Sequence, residues 1–178
     1  MIFLTVGTVL PFDRLVRAVD QAIETRLITR PVFAQIGQTA LRPRNMEWVA
    51  TLEKSAFDRK VAEADFVIGH AGMGSVMIAL QHRKRLLVMP RMRQYGEHVN
   101  DHQVADARRF AELGYVLVAY ESAELPSRLR QIESFIPVPR RSQADQVAQR
   151  IARFLQEMEG SLLRKHNSFC LGDLRGLR

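Results

Sequence analysis

Five short apolar runs recur along this chain, Ile2–Val6, Val32–Ile36, Phe66–Ile68, Leu86–Met89 and Tyr115–Val118, with a weaker sixth at Met46–Val49. Near-continuous apolarity over so few residues suits strands covered on both faces, as in a parallel sheet. The stretches between them carry helical spacing. Phe12, Leu15, Val16, Val19 and Ile23 share one helix face, with Pro11 placed to open it. Phe57, Val61 and Ala64 mark a second helix, Val76, Ala79 and Leu80 a third, and Val99, Val104, Ala107 and Phe110 a fourth that Gly114 ends. Leu125, Leu129 and Ile132 give a fifth, and Ser142 and Asp145 resemble a capping signal ahead of Val147, Ile151, Phe154 and Leu155. Strand and helix in regular alternation predict an α/β domain, a mostly parallel sheet joined by right-handed crossovers. In such sheets ligands bind outside the carboxyl ends of the strands.

The chain's 178 residues suit one domain and can bury a core without disulfides. We expect a Rossmann-like domain over residues 1–159 and a basic C-terminal tail over 160–178, where helical periodicity is lost. The apolar start, MIFLTVGT, lacks a basic leader and reads as a buried first strand rather than a signal peptide. No apolar run is long enough to span a bilayer. The single cysteine, Cys170, excludes an internal disulfide and a cysteine-based zinc site and fits a cytoplasmic setting. The net charge of +7 is concentrated in Arg83, Lys84, Arg85, Arg91 and Arg93 and in a late basic group from Arg140 to Arg178. Basic surfaces of this kind attract phosphorylated ligands, anionic lipid heads or nucleic acid. With aromatics at only 7% and no recognised nucleic-acid module, nucleic acid is not expected as a partner.

Two turns carry the chemistry. After Phe66–Ile68 the sequence runs Gly69-His70-Ala71-Gly72-Met73-Gly74-Ser75, strand, tight turn, then helix. Such a turn presents unpaired amides at the positive end of a helix, and its glycines let a diphosphate approach the backbone. Ser75 adds a hydroxyl and His70 a further donor. Gly7 and Thr8 form a second turn after the first strand, followed by Asp13 in a helix-start position. No lysine follows the glycines as in a P-loop, and no G-x-G-x-x-G follows the first strand, so ATP hydrolysis and NAD chemistry lose support. A third segment, Gln94 to Gln103, packs Glu97, His98, Asn100, Asp101, His102 and Gln103 into one loop after the strand ending at Pro90. Amides and acids there suit sugar hydroxyls. Glu97, His98, Asp101 and His102 also allow a metal reading, but amides and arginine neutralise phosphate without one, and we expect no metal and no cofactor.

Thr5–Thr8 (TVGT), Pro11–Leu15 (PFDRL), GHAGMGSV, VMPR and GEHVNDHQ, in this order, resemble the small bacterial exopolysaccharide and capsule glycosyltransferase subunits. These are similar to the soluble subunit of the two-component UDP-N-acetylglucosamine transferase of dolichol-linked glycan synthesis. Both correspond to the C-terminal, donor-binding half of the peptidoglycan lipid II glycosyltransferase, the glycosyltransferase family 28 C-terminal domain. The resemblance covers roughly residues 1 to 120. It implies half of a GT-B fold that binds a UDP-sugar. Gly7, Thr8, His70, Gly72, Met73, Gly74 and Ser75 would face the diphosphate, Asn100, Asp101, His102 and Gln103 the sugar, and the segment after Trp48 the uracil. It further implies inverting transfer to a polyprenyl-diphosphate-linked acceptor, with a membrane-anchored partner supplying the other half of the cleft and the basic surface facing membrane or partner. Glu97, His98 and His70 are the candidate bases in this chain. The match departs at Val76-Met77-Ile78-Ala79, where many GT-B enzymes carry a glutamate for the ribose hydroxyls. That gap keeps open a non-catalytic partner protein of the same fold; a related epimerase is a further alternative.

Overall fold

The computed structural model describes residues 1–139 and 149–154. Six strands, β1 (Ile2–Thr5), β2 (Val32–Gln35), β3 (Glu47–Val49), β4 (Phe66–His70), β5 (Arg85–Met89) and β6 (Leu117–Val118), form one sheet of order β3-β2-β1-β4-β5-β6. Every pairing is parallel. Parallel neighbours cannot be joined by a tight hairpin, so each connection crosses a face of the sheet. The crossovers carry α1 (Asp13–Glu24), α2 (Lys54–Glu63), α3 (Met73–Gln81) and α4 (His102–Glu112), and α5 (Leu125–Ile132) follows β6.

Alternation along the strands feeds two cores. Ile2, Leu4 and Val6 pack with Leu15, Val16 and Val19 of α1 and with Leu125, Leu129 and Ile132 of α5. Phe3 and Val67 point to the other face, against Val61 of α2, Val76 and Ala79 of α3 and Ala107 of α4. Side chains of successive strand residues leave opposite faces, so an apolar run with no polar alternation requires both faces covered. The six expected strands are therefore all found, and the expected mostly parallel sheet is parallel throughout.

Three expectations are corrected. The fourth helix begins at His102, not near Val99. Val99 is 81% exposed in the preceding loop, and Asp101 spends its carboxylate on the amide of Arg93, which holds that loop out of the helix. Pro11 lies outside α1, which starts at Asp13 behind Phe12. The Asp13 carboxylate accepts the amide of Leu41 at 2.7 Å, a structural use for an acid at a helix start. The first basic group is not one solvated face. Arg91 is 3% exposed, and Arg85 donates to the carbonyls of Ile132 and Glu133.

Residues 149–154 are helical and exposed. The expected boundary at 159, the tail over 160–178 and Cys170 lie outside the described residues. Among the described residues no helix is long and apolar enough to cross a membrane.

Candidate functional site

The strand order reverses direction between β1 and β4, whose crossovers leave on opposite sides of the sheet. A gap opens at the carboxyl ends of two such strands, and in doubly wound sheets this is where ligands bind. The two turns singled out in the sequence lie at these ends. They share an open crevice of about 320 Å³, walled by Gly7, Thr8, His70, Gly74 and Ser75 together with Arg91, His98 and Gln103.

Local sequence sets each wall. β1 ends at Thr5, whose Oγ1 accepts the amide of Gly7. Gly7 then takes φ +77, a conformation that L side chains rarely adopt. After β4 the chain stays extended through Gly72, and α3 begins with Met73. The first bond closing this helix is Val76 N–H to Gly72 C=O, and no side chain caps the end. The amides of Met73, Gly74 and Ser75 thus precede the helical ladder and are free for a ligand. A Cβ on Gly74 would meet nothing within 4 Å, so this backbone faces open space. Free amides and the positive end of the α3 dipole make this wall attractive to anions.

His70 joins the two turns. A Cβ at Gly72 would lie 2.1 Å from its Nε2, and one at Gly7 would lie 3.0 Å from its Cε1. Gly72 is therefore glycine because an imidazole occupies the volume a side chain would fill. Nδ1 of His70 is buried without a hydrogen-bond partner. Burial, then the charge of Arg91, push the imidazole down from 6.5 to about 4, against a backbone interaction with Thr5. It is neutral at pH 7. A base whose folded pKa is lowered binds fewer protons folded than unfolded between the two values. Stability from this group is full above about 6.5 and falls as pH drops toward 4. The loss is about 1.4 kcal/mol per pH unit, about 3 kcal/mol across the window. Denaturant unfolding at a series of pH values should show a shallower acid limb in His70→Gln than in the wild type. Two parallel limbs would mean that His70 is not held neutral.

The loop after β5 divides its residues. His98 and Gln103 line the crevice. Gln103 is 4% exposed, and its Oε1 accepts the amide of Arg91 at 3.1 Å, which fixes the side chain. Desolvation, His102 and Arg91 lower the pKa of His98, and a hydrogen bond with Asn100 opposes them. The His98 and His102 rings meet edge to face, with centroids 4.5 Å apart. Asn100 and His102 are exposed and bonded to each other through Oδ1 and Nδ1, and neither they nor Asp101 form the crevice wall. Met73 is 53% exposed beside it. Trp48 sits on the edge strand β3, stacked against Arg42, away from the wall.

Glu97 stands apart. Its two carboxylate oxygens accept Nε and Nη2 of Arg14 at 2.7 and 2.8 Å, and one also accepts the amide of Met92. The pair is well buried, with side-chain exposures of 14% and 9%. Glu97 lines a neighbouring cavity with Arg14, Arg17 and Tyr95 rather than the strand-end crevice. That cavity, about 470 Å³, is larger, but the free amides lie in the other. Among the described residues no three of His, Cys, Asp and Glu come together in a way that could hold a metal ion.

Two further residues shape this region, and neither belongs to the turns or the segment from Gln94 to Gln103 that the sequence marks for a ligand. In the sequence Arg91 belongs to a basic group, and VMPR puts it just past a strand end. Gly37, directly after β2, takes φ +56 and lies against the carbonyl of Gly7. A glycine immediately following an apolar run was the available signal in its case.

The fold is shared with solved glycosyltransferase structures. The NMR structure of ALG13 matches with a TM-score of 0.55 at 21% identity, over 78% of this chain and 87% of that one. MurG of Acinetobacter baumannii matches at 0.51 and 24% identity, over 74% of this chain and 40% of that one. The glycotransferase of kitacinnamycin matches at 0.53 and 16%, over 75% of this chain and 35% of that one. The chain thus spans well under half of these last two proteins, and its single domain corresponds to one half of a GT-B fold. No curated protein matches it. A model of the glycosyltransferase family 28 C-terminal domain matches residues 1–158, most of the sequence. The chain belongs to the glycosyltransferase family 28 C-terminal domain family.

Proposed function

We propose that this domain binds the diphosphate of a UDP-sugar and serves an inverting glycosyltransferase that transfers the sugar to a polyprenyl-diphosphate-linked acceptor, in exopolysaccharide or capsule synthesis. The observation that carries this reading is the meeting of the Gly7–Thr8 turn and the uncapped start of α3 in one crevice at the β1/β4 reversal. In the transfer, the acceptor oxygen attacks the anomeric carbon from the face opposite the departing UDP. Negative charge grows on the leaving diphosphate. Donors fixed before the reaction stabilise that charge without reorganising, and removing one such donor costs about 3–4 kcal/mol of barrier. The amides of Gly74 and Ser75, the hydroxyls of Thr8 and Ser75, and His70 are the donors of this scheme. Gln103, in the crevice wall, is the residue of the loop after β5 that faces the sugar in this scheme, with Asn100, Asp101 and His102 outside the wall beside it.

A base is needed for the acceptor hydroxyl. His98 lines the crevice with its imidazole held toward the neutral, proton-accepting form. Glu97 is less suited, because both its oxygens are bonded to Arg14. The acceptor half of the cleft, and with it a second candidate for the base, belongs in this scheme to a membrane-anchored partner subunit that holds this domain at the inner face of the membrane.

A second reading has an observation in its favour. α3 runs Val76-Met77-Ile78 past the turn, without an acid for the ribose hydroxyls. A non-catalytic partner of a separate transferase would tolerate that loss. Thermal unfolding with UDP, GDP, TDP and UDP-sugars separates the two. A ligand at about 100 times its dissociation constant adds about 2.7 kcal/mol. For the donor-binding reading, UDP and at least one UDP-sugar raise the midpoint while GDP and TDP do so less. Indifference to every nucleotide would favour the non-catalytic reading.

A further inference from the structure

Among the described residues Arg91 is the most deeply buried charged side chain, and it is bonded to no acid there. It follows β5 by two residues and is 3% exposed. Its Nη2 donates to the carbonyls of Val6 and Leu10 at 2.7 and 2.6 Å, and Nε to that of Pro11 at 3.3 Å. The guanidinium carbon lies 4.9 Å from the centre of the Phe12 ring. These acceptors bracket the Gly7–Thr8 turn, so one guanidinium holds both ends of the loop that carries it. Burial pushes the Arg91 pKa down to about 10, opposed by the more distant charge of Glu97, and the group is still a cation at pH 7. Glu97 does not neutralise it, being bonded to Arg14.

Carbonyl dipoles solvate a cation but do not cancel its charge, and a buried charge without a counter-ion is costly. Tethering the loop needs donors, not a full positive charge. The excess is felt in the crevice that Arg91 helps to wall, because the same charge depresses both His70 and His98. The groups facing Arg91 from the packed elements are Glu97, His70 and His98; Glu97 is paired to Arg14, which also reaches Glu121, and both imidazoles are pushed toward neutrality, so Arg91 is the cation that lines the crevice itself.

We propose that Arg91 is the fixed counter-cation of the crevice and makes it select a diphosphate over a monophosphate or an uncharged nucleoside, while its bonds to Val6, Leu10 and Pro11 set the Gly7–Thr8 turn. This rests on the donor-binding reading above and names the residue that gives it charge selectivity. Hydrogen bonds to charged groups contribute about 1.5–3 kcal/mol, roughly ten- to a hundredfold in affinity.

Calorimetric titration of UDP, UMP and uridine into wild type, Arg91→Lys and Arg91→Met tests it. In Arg91→Met the affinity for UDP falls at least about tenfold, for UMP less, and for uridine by no more than about twofold. Arg91→Lys recovers part of the UDP affinity. Equal losses for the three ligands would make Arg91 a tether only and overturn the proposal, as would an unchanged UDP affinity in a folded Arg91→Met. Because removing a buried arginine can unfold the chain, the wild type gives an independent measurement. Titrated with inorganic pyrophosphate, the Arg91 Nε–Hε resonance shifts saturably, and an unmoved resonance at saturation overturns the proposal. If pyrophosphate moves it and UDP does not bind, the charge selectivity stands and the nucleotide reading falls. If UDP binds and the resonance stays still, the reverse holds.

Discussion

Gly74→Asp is expected to abolish UDP binding without weakening the fold. The two halves of that result have separate causes, both on the first turn of α3. A Cβ at position 74 meets no atom within 4 Å, so the longer side chain enters open crevice rather than packed core. Gly74 has helical, not left-handed, backbone, and an acid in the first helical turn is favoured by about 0.3–1 kcal/mol. Replacing glycine within a helix adds a few tenths more. The thermal midpoint of the variant therefore stays level or rises. Binding goes the other way. A carboxylate about 4 Å from a phosphate charge costs about 4 kcal/mol at an effective dielectric near 20, about three decades of affinity. Gly74→Asn separates charge from bulk, because it is nearly isosteric and neutral, and it should retain part of the affinity. The measurement is calorimetric titration with UDP beside a melting curve for each variant. A folded Gly74→Asp chain that binds UDP within a few-fold of wild type would remove α3 from the site.

The sequence made the sheet legible for a simple reason. Every strand but β3, one of the two edge strands, is largely buried on both faces, and a buried strand is a nearly uninterrupted apolar run. Glu47 and Trp48 of β3 are exposed, and that strand was the weakest signal. The two turns were legible because glycines directly after apolar runs have few other uses. What was not legible depends on contacts between segments far apart in sequence. Nothing near Glu97, in the loop before α4, announces that Arg14 on α1 holds both its oxygens. Val99 has the right spacing for α4, yet Asp101 is bonded to Arg93 and the helix starts after it. Arg91 has basic neighbours in sequence, as surface charge does, whereas its partners are carbonyls eighty or more residues away on the β1 loop and, near in sequence, the side chain of Gln103. Gly37 carries the same signal as Gly7, a glycine directly after an apolar run, but its contact with the backbone of Gly7 on the neighbouring strand's loop is not written near it in the sequence.

Gly37 supplies the second large effect. It takes φ +56, and a Cβ there would lie 2.5 Å from the carbonyl oxygen of Gly7. Left-handed backbone costs a non-glycine residue about 1–2 kcal/mol by itself. The overlap with Gly7 adds to that, because the obstacle is main chain and cannot turn aside as a side chain can. The segment has little freedom to retreat on its own side. The Gly37 amide donates to Ala50 at 2.8 Å, and Thr39, two residues on, accepts the buried amide of Phe12 at 3.1 Å. The Gly7–Thr8 turn is held by Arg91 in its turn. Gly37→Ala should therefore destabilise the protein by about 2–4 kcal/mol, a fall in midpoint of roughly 5–15 °C for a chain of this size. It should also weaken UDP binding in the molecules that remain folded, since the turn that moves is a wall of the crevice. Gly96 is the internal control. It has φ +66, but a Cβ there meets nothing within 4 Å, so Gly96→Ala carries the backbone strain without the overlap. Chemical unfolding of both variants, read at the same temperature, isolates the difference. Gly37→Ala should lose more than Gly96→Ala by at least about 1 kcal/mol. Equal losses would mean that strand-end loops at β1 and β2 adjust independently, and that Gly37 has no part in shaping the crevice.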